Sequence, residues 1–240
     1  MFDDDLLING AKKMEIELNN IQVEKFRTYY YALAESSRSI NLTGITEVRE
    51  IIIKHFLDSL TPVKVMDLNN GTHFCDIGTG AGFPGVPLKI LYPDSKLTLI
   101  DSHKKKIHFL KRLVKRLDLR EVSIYHGRAE ELGKDKMHRE KYGTVLSRAV
   151  AALPVLLEYA LPFVSLGGNF MACKGPKVLQ EIEEAQKALE VLGGRLRSIN
   201  SLKLPFTQDE RFIIVIEKEK ITPLQYPRRA GIPLKRPLIH

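Results

Sequence analysis

From residue 72 onward the chain alternates short apolar runs of five to nine residues with amphipathic stretches. That grammar belongs to a mostly parallel sheet with helical crossovers. The predicted strands are 73–77, 96–101, 121–126, 143–147, 168–173, 195–203 and 211–217, with helices over about 84–91, 103–117, 152–163 and 176–192. The polar loop 204–210 has no room for a helix, so the last two strands should pair as an antiparallel hairpin. The expected result is an α/β fold with a seven-stranded sheet whose final strand runs against the rest.

Ahead of the sheet, residues 5–37 carry Leu6, Leu7, Met14, Ile21, Phe26, Tyr30 and Leu33 at helical spacing, which predicts one or two amphipathic helices. A further helix is expected from about Glu47 to Leu60, closed by Pro62. A chain of 240 residues fits one large domain with an appendage. The expected division is a helical extension or cap over 1–66, the α/β domain over 67–220 and a basic tail over 221–240 packed on it. From Thr222 the tail is rich in Pro, Arg and Lys and is expected to be extended and exposed.

The most apolar stretch, Ala149 to Gly168, is interrupted by Pro154, Glu158 and Pro162 and does not supply a bilayer span. The acidic start Met1-Phe2-Asp3-Asp4-Asp5 is unlike a secretory signal, so a cytoplasmic location is expected. Cys75 and Cys173 each sit in an apolar run with no histidine at metal-type spacing, so no metal site and no disulfide is expected.

The formal net charge is +8, and it is unevenly spread. Residues 1–70 carry 8 Lys and Arg against 11 Asp and Glu, leaving 29 against 18 for the rest. Such a surface attracts polyanions, nucleic acid above all. Lys104, Lys105, Lys106, Lys111, Arg112, Lys115 and Arg116 share one helix with no acid between Asp101 and Asp118. With Arg228, Arg229, Lys235 and Arg236 of the tail they form a candidate phosphate-binding track, against the plainer reading of a solvated face.

The strongest chemical signal is Asp76-Ile77-Gly78-Thr79-Gly80-Ala81-Gly82-Phe83-Pro84-Gly85, leaving a predicted strand and entering a helix. Glycines there permit a sharp turn and bring backbone N–H groups close to a ligand. Asp101 ends the next strand, where a carboxylate accepts hydrogen bonds from the hydroxyls of a ribose. Residues 80–85 also spell G-x-G-x-x-G, so an NAD-dependent oxidoreductase has to be weighed. The acid at the strand end and the first glycine at Gly78 resemble the S-adenosylmethionine loop more closely, and the terminal hairpin fits a Rossmann-like class I methyltransferase.

At the end of strand four, where amine-methylating enzymes usually carry Asn/Asp-Pro-Pro-aromatic, the chain reads Ser147-Arg148-Ala149-Val150. Carbon methylation of a pyrimidine normally needs a reactive cysteine, and Cys173 sits at a strand end beside Lys174. A nucleophile with a free lone pair is the economical remainder, and guanine N7 is one.

Beyond the glycine loop, Asn41-Leu42-Thr43, His55-Phe56-Leu57-Asp58-Ser59, Arg128-Ala129-Glu130, Ser147-Arg148-Ala149, Lys174-Gly175 and Tyr226-Pro227-Arg228-Arg229-Ala230-Gly231-Ile232-Pro233 resemble the bacterial 16S ribosomal RNA 7-methylguanosine methyltransferase family over essentially the whole chain. The resemblance implies S-adenosylmethionine as cofactor and 16S ribosomal RNA or the 30S particle as partner; a monomer is expected. It further implies that Gly78, Gly80 and Phe83 line the methionine and ribose end, Asp101 the ribose, and Ala129 and Glu130 the adenine edge. Asp76, Gly82 and Ser102 complete that cofactor set, and Arg148 closes the pocket beside the reactive sulfonium. By analogy and position, Arg148, Lys174 and Asn41 are expected to orient the base or its phosphate.

His55, Asp58 and Ser59 lie at i, i+3 and i+4 and should share a helix face, either as an active-site cap or as a plain helix contact. Glu130 has an alternative as a helix-start acid favouring the dipole. A ribosome-assembly factor that binds RNA on this fold without methyl transfer is the other functional reading.

Overall fold

The computed structural model describes residues 1–37, 42–66 and 72–239. Two helices lead, α1 (Asp4–Lys13) and α2 (Asn20–Ser36), each with a side-chain N-cap, Asp3 accepting from Leu6 N–H and Asn19 from Gln22 N–H. The segment expected as one regular helix after them is broken up. A turn, α3 (Val48–Ile51), passes into a π-helical stretch Ile52–Leu57, then α4 (Asp58–Leu60) and a 3-10 turn Thr61–Lys64. Pro62 lies at the start of that last turn.

The sheet follows the predicted grammar. β1 (His73–Ile77), α5 (Gly85–Leu91), β2 (Lys96–Asp101), α6 (Lys104–Arg116), β3 (Val122–His126), α7 (Ala129–Leu132) and β4 (Tyr142–Arg148) come first. They are followed by α8 (Leu153–Ala160), β5 (Val164–Lys174), α9 (Val178–Glu184), α10 (Gln186–Leu192), β6 (Gly194–Lys203), β7 (Glu210–Lys218) and α11 (Ile232–Lys235). Strand order is β3-β2-β1-β4-β5-β7-β6, with β7 antiparallel to both neighbours. Three boundaries differ from expectation. β5 begins four residues early, because a register shift opposite Tyr142 and Thr144 and a left-handed Gly167 let the strand run through a Gly-Gly pair. The helix expected over 176–192 divides at Ala185, and that over 152–163 ends in a 3-10 turn, Leu161–Phe163.

Two apolar layers flank the sheet. On one face α1, α2, α5, α6 and the 48–64 segment bury Leu7, Phe26, Tyr29, Phe56, Leu57 and Leu110 against Phe74, Leu99 and Leu146. On the other, α8 and α10 bury Leu153, Leu157, Ala188 and Leu192 against Val145, Phe170 and Ile214. The N-terminal helices thus share a core with the sheet. Among the described residues no helix is long and apolar enough to cross a membrane, and no group of three or more His, Cys, Asp or Glu is placed to hold a metal ion.

The tail is not extended and exposed throughout. Glu158, fully buried on α8, takes Arg228 through both carboxylate oxygens, with Arg228 Nη2 2.6 Å from Oε2, and also accepts the Arg228 backbone N–H at 2.7 Å. Arg139 donates to the carbonyls of Thr222 and Tyr226. A buried carboxylate must find such a partner, and the tail supplies it.

Candidate active site

β1 ends at Ile77, and the chain turns through Gly78, Gly80 and Gly82 at φ +69°, +62° and +107°. All three lie where an L side chain is disfavoured. Two glycines serve close packing: a Cβ on Gly82 would stand 2.7 Å from Tyr29 Oη, and one on Gly85 2.9 Å from Asp76 Oδ2. A Cβ on Gly80 would meet open space, with only the Gly78 carbonyl and Lys106 Nζ at 4.0 Å.

The loop's N–H groups are not free for a ligand in the way its glycine content suggests. Those of Gly78 and Thr79 donate to the Ile100 carbonyl and those of Gly82 and Phe83 to the Thr79 carbonyl. Gly80 N–H donates to Asp101 Oδ2 and Gly85 N–H to Asp76 Oδ2, each at 2.8 Å. The helix that follows is also short, seven residues. What the turn offers is its open face at Gly80.

Two carboxylates hold the turn. Asp101 is 4% exposed; Oδ2 is held by Gly80 and Oδ1 by His103 N–H at 2.8 Å, which fixes its orientation. Asp76 is fully buried, and Oδ2 accepts from Thr79 Oγ1 and Gly85 N–H while Oδ1 has no partner. Burial raises its pKa to about 6, against the opposing pull of those hydrogen bonds and of Arg148.

At the end of β4, Arg148 Nη1 is 3.0 Å from Asp58 Oδ2, while Arg211 Nε is 3.0 Å from Asp58 Oδ1. Arg148 and Asp58 side chains are 12% and 10% exposed. The Arg148 guanidinium stands 5.1 Å from the Phe83 ring, which is stacked between His55 (4.8 Å) and Tyr29 (5.2 Å). Tyr29 Oη closes the stack by donating to the Ala81 carbonyl at 2.6 Å. The π-helical stretch carries His55, whose Nε2 is 2.6 Å from Thr43 Oγ1 and whose Nδ1 is buried without a partner. Burial, then the Arg148 charge, lowers its pKa to about 4, so the ring is neutral. Ser59 belongs to the scaffold, fully buried and donating to the His55 carbonyl.

Arg148 pairs in register with Cys173 on β5, and beyond it a cavity of about 570 Å³ is lined by Lys54, Arg148, Lys174, Lys177 and Arg211 with the acids Asp58 and Glu181. Lys174 lies 2.6 Å from Glu181 and 2.7 Å from the Ala151 carbonyl, pinning the loop after β4. Cys173 lines the same cavity, but burial pushes its thiol pKa up, away from thiolate chemistry.

The remaining expected residues scatter. Ser102 is exposed beside Asp101. Ala129 is half-buried and Glu130 is buried, its Oε1 accepting Gly231 N–H of the tail at 3.0 Å. Lys104, Lys105, Lys111, Arg112 and Lys115 face solvent. Arg116 is not a free cation, since it meets Glu35 at 2.9 Å, and Lys106 turns toward the glycine loop. In the tail Arg229, Lys235 and Arg236 are exposed while Arg228 is committed to Glu158. Asn41 lies outside the described residues.

Arg211, Tyr29 and Glu181 do not stand out in the sequence. For Arg211 a signal exists: it opens a strand predicted to be antiparallel, and reversal places its start at the carboxyl edge of the other strands, next to the Lys174–Phe212 pair. For Tyr29, the helical spacing picks out its neighbour Tyr30, whereas it is Tyr29 that is fully buried.

A sheet of this order with a reversed last strand, and a crevice at the carboxyl ends of β1 and β4, define a Rossmann-like methyltransferase fold. Solved structures of the same fold include the ribosomal protein L11 methylase of Lactobacillus delbrueckii subsp. bulgaricus (TM-score 0.53, 11% identity, 70% of this chain and 79% of that one). Another is TrmN from Thermus thermophilus (TM-score 0.52, 18% identity, 68% of this chain and 48% of that one). The family model GidB, rRNA small subunit methyltransferase G, matches residues 22–212, and the chain belongs to that family. Proteins named ribosomal RNA small subunit methyltransferase G from Desulforamulus reducens and Pelotomaculum thermopropionicum are 50% and 51% identical to it. The matches cover 97% and 95% of this chain and 97% and 96% of theirs.

Proposed function

We propose that the protein transfers a methyl group from S-adenosylmethionine to N7 of a guanine in 16S ribosomal RNA, as RNA or within the 30S particle, and acts as a cytoplasmic monomer. The observation that carries this reading is the junction at Arg148. On one side lies the open glycine turn with its oriented carboxylates; on the other lies a cavity with five cationic side chains and two acids. Such a cavity suits a nucleotide whose phosphate needs cations and whose base needs polar partners.

The residues fit the cofactor. The open face at Gly80 and the orphaned buried Oδ1 of Asp76 are features the protein leaves unanswered, and the Asp101 carboxylate is preset by two backbone N–H groups with lone pairs to spare. When bound, the cofactor supplies an electrophilic methyl group. Asp101 holds the ribose, Gly78, Gly80, Gly82 and Phe83 form the wall, Ser102 and Ala129 border the adenosine, and Asp76 serves the amino-acid end. Arg148 closes the crevice beside the reacting atoms. Lys174, Asp58, His55 and Asn41 position the base, His55 as a neutral ring.

Guanine N7 attacks without first losing a proton, so no general base is required, and rate comes from holding the two partners aligned in a pocket that excludes water. The raised thiol pKa of Cys173 argues against a covalent carbon-methylation route. Incubation with labelled S-adenosylmethionine and, in parallel, ribosomal RNA, 30S particles and DNA tests the proposal. Label in 7-methylguanosine of the small-subunit RNA is expected; label in another nucleoside overturns the target.

A further inference from the structure

The seven cations of the α6 segment read from sequence as one solvent-facing track, yet they do not share one environment. Lys104, Lys105, Lys111, Arg112 and Lys115 are exposed and Arg116 is paired with Glu35. Lys106 is half-buried, and its Nζ stands 4.0 Å from where a Cβ on Gly80 would lie, over the one open face of the glycine turn. No carboxylate lies within ion-pairing distance of it among the described residues.

A loop of this kind would ordinarily meet an anionic group with several amides, but here the N–H groups of Gly78, Thr79, Gly80, Gly82, Phe83 and Gly85 are engaged internally, which leaves Ala81 N–H beside the open face. Arg148 is held by Asp58. Asp101, bonded to Gly80 N–H, borders the same face and repels an anion. An anionic ligand group over Gly80 is therefore left with Lys106 as its charge partner.

We propose that Lys106 belongs to the cofactor site and not to the RNA track, its ammonium pairing with the carboxylate of the cofactor's amino-acid moiety. The proposal rests on the reading of S-adenosylmethionine as methyl donor, in which that carboxylate is the sole anionic group. Lys106 is a binding residue in this scheme, and its charge selects donors that carry the carboxylate.

Calorimetry without RNA tests it, comparing S-adenosylmethionine with its decarboxylated analogue, which differs only in lacking that group. The wild-type protein should prefer the carboxylated form by roughly tenfold, the size of one charge-assisted hydrogen bond. Lys106→Met should erase the preference by weakening S-adenosylmethionine alone, and Lys106→Arg should restore most of it. Lys141→Met, an exposed lysine outside the site and the track, should leave both affinities unchanged. Equal weakening of both ligands by Lys106→Met, or no weakening of either, overturns the assignment. So does a loss of RNA affinity with cofactor binding intact. If the wild-type protein binds neither ligand, the proposed activity fails along with the inference.

Discussion

Asp58 holds two arginines at once, Arg148 of β4 on one oxygen and Arg211 of β7 on the other, each at 3.0 Å. A single carboxylate on a distorted helix thus ties the N-terminal segment to two strand ends. Arg148→Ala leaves Asp58 with Arg211, so the fold should persist while methyl transfer falls by at least ~100-fold through poorer alignment. Arg148→Ala with Arg211→Ala leaves a nearly buried charge unpaired and should cost about 3 kcal/mol, more than the two single losses together. Urea titrations of the three variants check this; strictly additive losses would refute the shared-anchor reading.

His55 and Asp76 have opposite linkages to pH. The folded pKa of His55 is lowered to about 4, so the unfolded chain takes up its proton first as pH falls below 6.5, and stability is lost toward pH 4. The folded pKa of Asp76 is raised to about 6, so the folded state binds the proton more tightly, and stability is lost as pH rises from about 4 through 6. The two largely cancel in the wild-type protein. Measured against wild type, His55→Gln should gain stability as pH falls through that window, and Asp76→Asn should gain as it rises, each by up to about 3 kcal/mol. Differences that do not vary with pH would count against both assignments.

The tail anchor should respond asymmetrically. Arg228→Ala strands the fully buried Glu158 and should cost about 3 kcal/mol, whereas Glu158→Ala leaves an arginine that still reaches water and should cost about 1–2 kcal/mol. Hydrogen exchange over 222–236 should quicken in both variants. A larger loss from Glu158→Ala would show that packing, not charge, dominates there.

Charge reversal on the exposed face of α6, at Lys104, Lys105, Lys111 and Lys115, should leave thermal stability nearly unchanged and weaken RNA binding. The slope of log affinity against log salt should become shallower by roughly 0.7–0.9 for each phosphate the variant no longer neutralises. Arg229→Glu in the tail should behave the same way, while Arg228→Glu should lower stability as well. An unchanged salt slope in the α6 variant would return that face to plain solvation.

Cys173 should react slowly with iodoacetamide at neutral pH, because burial raises its thiol pKa. Cys173→Ser should retain methyl transfer within a few-fold. Loss of turnover with the fold intact would reopen the covalent route.

Much of the architecture is legible in the order of residues alone. Apolar runs spaced by crossovers dictate a parallel sheet, the short loop 204–210 dictates the final reversal, and a glycine-rich turn between Asp76 and Asp101 marks the crevice, because these depend on neighbours along the chain. The π-helical stretch under His55, the sharing of Asp58 by two arginines and the capture of Arg228 by Glu158 are not legible there. The two pairings join residues 70 to 153 positions apart, through a packing geometry that local periodicity does not encode. Tertiary structure alone also decided which lysine of α6 looks inward and which N–H groups of the turn are engaged within it. A side chain's charge is written in the sequence, but its partner is chosen by what the folded chain brings within hydrogen-bonding reach.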